Sequence, residues 1–243
     1  VAGKQEVVRR HIGTRGAART NQVSICRLGF GWLLMALCVG ADANAADSID
    51  VIPRAAWGAR PASGACVPHT ISSISVHHTA THSTDNTRSP KRLLSYQRYH
   101  QDNKGWIDLA YHLFIDLEGN VYAGRDMACV GDTATNYDPT GHLLIVLEGN
   151  FEKQTVSSKA LDRLVEVVAW GARKYSVPPE KIRAHRDLAA TACPGSNLYA
   201  KFLDGTFGAH VQALVETAPN ALQTLPQVEG EARVQRIMKS PSK

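Results

Sequence analysis

Between His142 and Glu148 lies the uninterrupted apolar run Leu143-Leu-Ile-Val-Leu147, inside the stretch HLLIVLEGN. A strand alternates its side chains between two faces, so a run that is apolar at every position needs cover on both sides. The stretch therefore predicts a central strand sandwiched between layers. TISSISVHH (Thr70–His78) is β-branched and partly alternating, and reads as a second strand. DLAYHLFIDLEGNVYAGR has two apolar runs around Glu118-Gly119-Asn120, a hairpin signal, and KIRAH (Lys181–His185) reads as a short last strand. A helix is expected to open at Ser89-Pro90, with Leu93, Tyr96 and His100 at helical spacing. A second is expected over Ser158–Lys174, with Leu161, Leu164, Val165 and Val168 on one face. Interleaved strands and helices predict one α/β domain, a central mixed sheet flanked by helices. Residues 46–60 read as an extended lead-in. After Leu203 the pattern fades, so the domain is expected over 46–204 and a mobile C-terminal tail over 205–243.

The formal charge of +5 does not signal a nucleic-acid partner. Residues 1–27 carry six Lys/Arg and one acid, Glu6, which leaves 21 basic and 21 acidic residues in the remainder. The excess belongs to a basic leader, followed by the apolar run LGFGWLLMALCVG and small residues at Ala43 and Ala45. That order predicts a signal peptide over 1–45 and an exported protein, periplasmic or secreted. The apolar run is shorter than the roughly 20 residues a membrane span needs, so no lasting membrane anchor is expected once the leader is cleaved. Cys26 and Cys38 leave with it. Cys66, Cys129 and Cys193 remain, an odd number for an oxidising compartment. A Cys66–Cys129 disulfide with Cys193 kept for another task is one partition, and three buried thiols is the other.

His77 and His78 end the first strand and point to opposite faces. His78 shares parity with the core residues Ile74 and Val76. His77 shares it with Ser73 and Ser75, which makes it the better ligand candidate. With His185 and Cys193 it makes a set of three donors that leaves a fourth position open, as catalytic rather than structural zinc does. Spacing alone is weak support for a metal.

The segments VHHTA, GWIDLAYHLFID with EGNVYAGRD, AHRD with TACPG and LY, and the lead-in IPRAAWGARP occur in one order along the chain. Together they resemble the zinc-dependent N-acetylmuramoyl-L-alanine amidases of the type 2 family, which includes phage amidase lysozymes and animal peptidoglycan recognition proteins. The resemblance runs from about Ile52 to Phe202. It implies a peptidoglycan recognition protein-like fold and one catalytic zinc held by His77, His185 and Cys193. It implies Tyr111 over the metal and gives Thr191 a catalytic place, although a loop hydroxyl bonded to backbone fits Thr191 as well. Substrate contacts are expected from His78, Thr79, Trp106, His112, Arg125 and Asn136, with Arg98 in a cleft-lining segment. Asp187 is expected to fix its loop or to orient a ligand from behind. Glu148 and Glu118 stay outside the catalytic set, because Val146 occupies the register at which some members carry a strand glutamate.

The activity implied is hydrolysis of the amide between N-acetylmuramic acid and L-alanine, by a monomer acting on peptidoglycan or muropeptides. Two rivals stand beside it. A recognition module on the same fold would bind without cleaving, and loss of the thiolate ligand is its usual sequence mark. A cysteine hydrolase would use Cys193 with a histidine base, but such a cysteine usually sits at a helix N-terminus, whereas Cys193 is followed by Pro194-Gly195.

Overall fold

The computed structural model describes residues 48–240, so the expected leader, residues 1–45, lies outside the described residues. The strands are β1 (Ser48–Ile52), β2 (Ser73–His78), β3 (Leu113–Ile115), β4 (Val121–Ala123), β5 (His142–Leu147), β6 (Ile182–Ala184) and β7 (Ala221–Thr224). The helices are α1 (Ser89–Asp102), α2 (Ser158–Tyr175), α3 (Ser196–Leu203), α4 (Thr206–Val215) and α5 (Gln227–Lys239). All seven strands join one sheet in the order β6-β2-β5-β3-β4-β1-β7. Neighbours run parallel except in the β3–β4 hairpin. Gly119 makes that hairpin's turn at φ +81°, a left-handed conformation that suits glycine.

The continuous apolar run is indeed central. β5 lies between β2 and β3, and its residues divide between two buried layers. On one face Leu143, Ile145 and Leu147 join Ile74 and Val76 beneath α2 and α4, which contribute Leu164, Val168, Phe207 and Val211. On the other, Val146 joins Phe114, Tyr122 and Ile52 beneath Leu93 of α1 and Val234 and Ile237 of α5. Both faces of the sheet exclude water over much of its width, as the pattern required.

α2 begins where Ser157 accepts the Ala160 N–H through its side-chain oxygen (3.2 Å) and donates to the Leu117 carbonyl (2.6 Å). Ser157→Ala is expected to lower stability by about 1 kcal/mol, read as a lower midpoint in urea with an unchanged slope. α1 opens at Ser89-Pro90 as expected, but Ser89 is its first residue and not its cap: the Ser89 hydroxyl turns inward to donate to the buried carboxylate of Glu148, which Arg92 also pairs. Glu148 is thus held inside the fold by a hydroxyl and a guanidinium. Glu118 pairs with Lys159 at the surface.

Two expectations about the ends are corrected. The lead-in is not simply extended chain: it contains β1 and a 3-10 turn at Arg54–Trp57, with Ile49, Val51, Ile52 and Trp57 buried. Residues 205–240 are not a patternless tail, because α4, β7 and α5 occupy them. β7 pairs in parallel with β1 from Ser48↔Ala221 to Val51↔Thr224. α4 buries Phe207 and Val211, one turn apart, while α5 buries Val234 and Ile237. Each helix owes its place to a narrow apolar stripe that only an existing core makes stable. Cys66 and Cys129 are joined as a disulfide, which decides between the two cysteine partitions.

Candidate metal centre

β2 and β6 pair in parallel with Val76 opposite Ala184, so both deliver their next residues, His77 and His185, to the same end of the sheet. This is the carboxyl end, where open α/β sheets place their ligands. His77 lies on the face of Ser73 and Ser75, as its parity requires. His185 opens a 3-10 turn that Asp187 closes by accepting the Ala184 N–H (2.9 Å) and the Tyr199 hydroxyl (2.5 Å). Asp187 thus fixes its loop.

Cys193 reaches the histidines from the following loop. Its N–H donates to Thr191 Oγ1 (3.2 Å), and its Sγ accepts the His78 N–H (3.4 Å). Arg186 holds the same loop by donating to the Ala192 carbonyl (2.7 Å) and to Glu152 (2.9 Å). Gly195, at φ +91°, passes so close to Phe151 that a Cβ would stand 2.5 Å from its carbonyl carbon, so only glycine lets the loop dock here.

The donor atoms converge. His77 Nδ1 is 3.1 Å from His185 Nδ1 and 3.8 Å from Cys193 Sγ, and the three lie within 4.8 Å of one another. Tetrahedral zinc with Zn–N of about 2.0 Å and Zn–S of about 2.3 Å wants donor separations of roughly 3.3 and 3.5 Å. The donor set suits such an ion, and the two separations from His77 fall near those values. Behind the rings, His77 Nε2 meets Ser75 Oγ (3.1 Å) and the Tyr137 hydroxyl (3.4 Å), and His185 Nε2 meets Thr135 Oγ1 (2.8 Å).

Electrostatics agree with this reading. Burial, reinforced by neighbouring His185, holds the His77 pKa well below its ordinary value, and burial lowers His185 to about 4. Both rings are therefore neutral at pH 7, the form a metal needs. Burial pushes the Cys193 thiol up to about 12, so it ionises only when a cation is brought beside it. A cysteine nucleophile needs the opposite shift. Cys193 also lies outside α3, whose first residue is Ser196.

Tyr111, in the loop before β3, sets its ring 5.2 Å from His77. Burial raises its pKa, and nearby Cys193 raises it further, so the hydroxyl stays protonated as a donor. Trp106 packs on His100 (4.8 Å between ring centres), which in turn lies 6.0 Å from Tyr111. Thr79 donates to the Gly149 carbonyl (3.3 Å) and accepts the Gly149 N–H (3.0 Å). Asn136 is exposed between Thr135 and Tyr137, and Arg98 is exposed on α1.

Three expected substrate contacts are buried and bonded within the fold. His78 points to the other face of the sheet, where it is buried and its Nδ1 accepts the Phe151 N–H (3.2 Å). His112 is fully buried, donating from Nε2 to the Cys129 carbonyl (2.8 Å) and accepting the Leu144 N–H at Nδ1 (2.9 Å). Arg125 is buried too. Its guanidinium serves the carbonyls of Leu109, Asp108 and Val130 and the carboxylate of Asp132. Sequence reasoning missed Thr135 and Tyr137, whose loop has no periodicity. Ser75 could have been found from its shared parity with His77.

A mixed parallel sheet carrying a two-histidine, one-cysteine donor set at its carboxyl end defines the class of this domain. The family model for N-acetylmuramoyl-L-alanine amidase matches residues 68–196, and the chain belongs to that family. It is 30% identical to peptidoglycan-recognition protein SC2 of Drosophila melanogaster over 169 residues, 68% of this chain and 91% of that protein. It is 32% identical to the N-acetylmuramoyl-L-alanine amidase of Homo sapiens over 154 residues, 60% of this chain but only 27% of the human protein. Among solved structures, peptidoglycan recognition protein-LE in complex with tracheal cytotoxin, a monomeric diaminopimelic acid-type peptidoglycan, superposes with a TM-score of 0.58 at 26% identity, covering 63% of this chain and 92% of its own. No helix among the described residues is long and apolar enough to cross a membrane.

Proposed function

We propose that this protein is an exported, zinc-dependent amidase that hydrolyses the bond between N-acetylmuramic acid and L-alanine of peptidoglycan, after removal of a leader over residues 1–45. The observation that carries the reading is the convergence of His77 Nδ1, His185 Nδ1 and Cys193 Sγ beside the Tyr111 ring. These three residues would hold the ion. An ion held there would supply an activated water near neutral pH and polarise the amide carbonyl.

The chain's own groups do the rest. Tyr111, kept protonated by burial, donates to the oxygen on which negative charge grows as the amide is attacked. Thr191 accepts the Cys193 N–H at its oxygen, which leaves its own proton to donate. Half-buried Trp106 and exposed Asn136 offer contacts for the muropeptide along the cleft. The relative solved with tracheal cytotoxin supports a peptidoglycan ligand.

Relatives named as recognition proteins and relatives named as amidases both match this chain, which makes binding without cleavage the second reading. Digestion of purified sacculi, with products identified by mass spectrometry, separates the two. The amidase reading expects about one zinc per chain and chelator-sensitive release of stem peptides beginning at free L-alanine. Tight binding to sacculi without release would replace it with the recognition module.

A further inference from the structure

We propose, on the basis of the zinc-amidase reading, that Thr135, together with the Ser75–Tyr137 pair, forms a collar of hydroxyls that positions the two histidines for the metal. A neutral imidazole carries one proton on one of its two nitrogens. For Nδ1 to offer its lone pair to an ion, the proton must sit on Nε2, and an acceptor placed at Nε2 selects that form. Here every such acceptor is a hydroxyl. Thr135 Oγ1 lies 2.8 Å from His185 Nε2 and, among the described residues, is that nitrogen's one hydrogen-bond partner. Ser75 Oγ lies 3.1 Å and the Tyr137 hydroxyl 3.4 Å from His77 Nε2.

The hydroxyls are themselves held. Thr133 Oγ1 accepts the Thr135 N–H (3.2 Å) and shares a hydrogen bond with Thr135 Oγ1 (2.8 Å), which fixes the threonine's approach to His185. Ser75 is fully buried in the middle of β2. Tyr137 packs its ring edge-on to His185 at 5.1 Å while its hydroxyl faces His77. One short loop thus supports both histidines, and the support is uneven. His185 depends on a single hydroxyl, whereas His77 has two.

That asymmetry gives the test, a zinc titration of the full chain against a chromophoric chelator. Thr135→Val keeps the shape and removes the acceptor, and it is expected to weaken zinc binding about 10–100-fold, the usual effect of losing an outer partner. Thr135→Ser, which keeps the hydroxyl, is expected to restore most of that affinity, and Tyr137→Phe alone to cost less than Thr135→Val. Melting of the zinc-free variants checks the fold. Should Thr135→Val melt early, the Ser75→Ala/Tyr137→Phe double variant makes the same test at His77, with the same expected loss. Unchanged affinity in the folded variant, or a Thr135→Ser protein as weak as Thr135→Val, overturns the collar and leaves the zinc reading standing. A wild-type protein that takes up no zinc overturns the zinc reading, and the collar with it.

Discussion

Cys193→Ser is expected to lose zinc and amidase activity together while the domain stays folded. Sulfur is the one donor of the three that can bring negative charge to the ion. Its thiol is pushed up to about 12 by burial, so it gives up its proton only in exchange for a cation. A serine oxygen at the same place is shorter in reach and far less acidic, and stays neutral beside a metal that still has two histidines to bind. The loss should therefore exceed the roughly 10–100-fold that an outer partner costs. The fold has little reason to fail. The backbone link of Cys193 to Thr191 does not involve the sulfur, and a serine oxygen can accept the His78 N–H that the sulfur accepts. Zinc content by mass spectrometry of the purified variant and digestion of sacculi are the two readouts. Zinc retained at about one per chain with undiminished activity would place the third ligand elsewhere.

The same residue shows how far a sequence can be read. His77 was identifiable because a strand alternates, and its partners Ser73 and Ser75 marked the polar side of β2. β5 was identifiable because apolar residues at every position demand two layers. His185 and Cys193 were harder. They become neighbours of His77 only because β6 pairs with β2, and no local pattern announces which strands pair. Only the order of several distant motifs, matched to a family, supplied that. His78, His112 and Arg125 turn to partners inside the fold for a related reason. Each is a polar residue in a cleft-lining segment, but whether it faces the cleft depends on which backbone groups need a partner inside. His112, for instance, bridges the Cys129 carbonyl and the Leu144 N–H and could not leave without orphaning both. At the chain's end the signal was too thin. Phe207 with Val211, and Val234 with Ile237, are two-residue stripes whose meaning depends on the sheet they cover.

Tyr111→Phe is expected to keep zinc, fold and sacculus binding and to lose most turnover. The ring packs beside His77 at 5.2 Å, and phenylalanine fills that place without disturbing it. What disappears is one hydroxyl, and its chemistry is narrow. Burial and the nearby Cys193 hold its pKa above the ordinary phenol value, so at neutral pH it can donate a hydrogen bond but cannot serve as a base. A donor aimed at a developing oxyanion stabilises the transition state more than the bound substrate, so its removal should appear in kcat and leave KM nearly unchanged. The expected loss is about 10²–10³ in kcat, equivalent to roughly 2.7–4 kcal/mol. Thr191 offers a second donor only if it can serve both Cys193 and the substrate, and the size of the Tyr111→Phe loss measures this. A loss well under tenfold would mean that Thr191 or the metal alone carries the charge, and an unchanged kcat removes Tyr111 from the mechanism. A rise in KM with kcat preserved would instead make Tyr111 a substrate contact, moving the catalytic donor to the Cys193 loop.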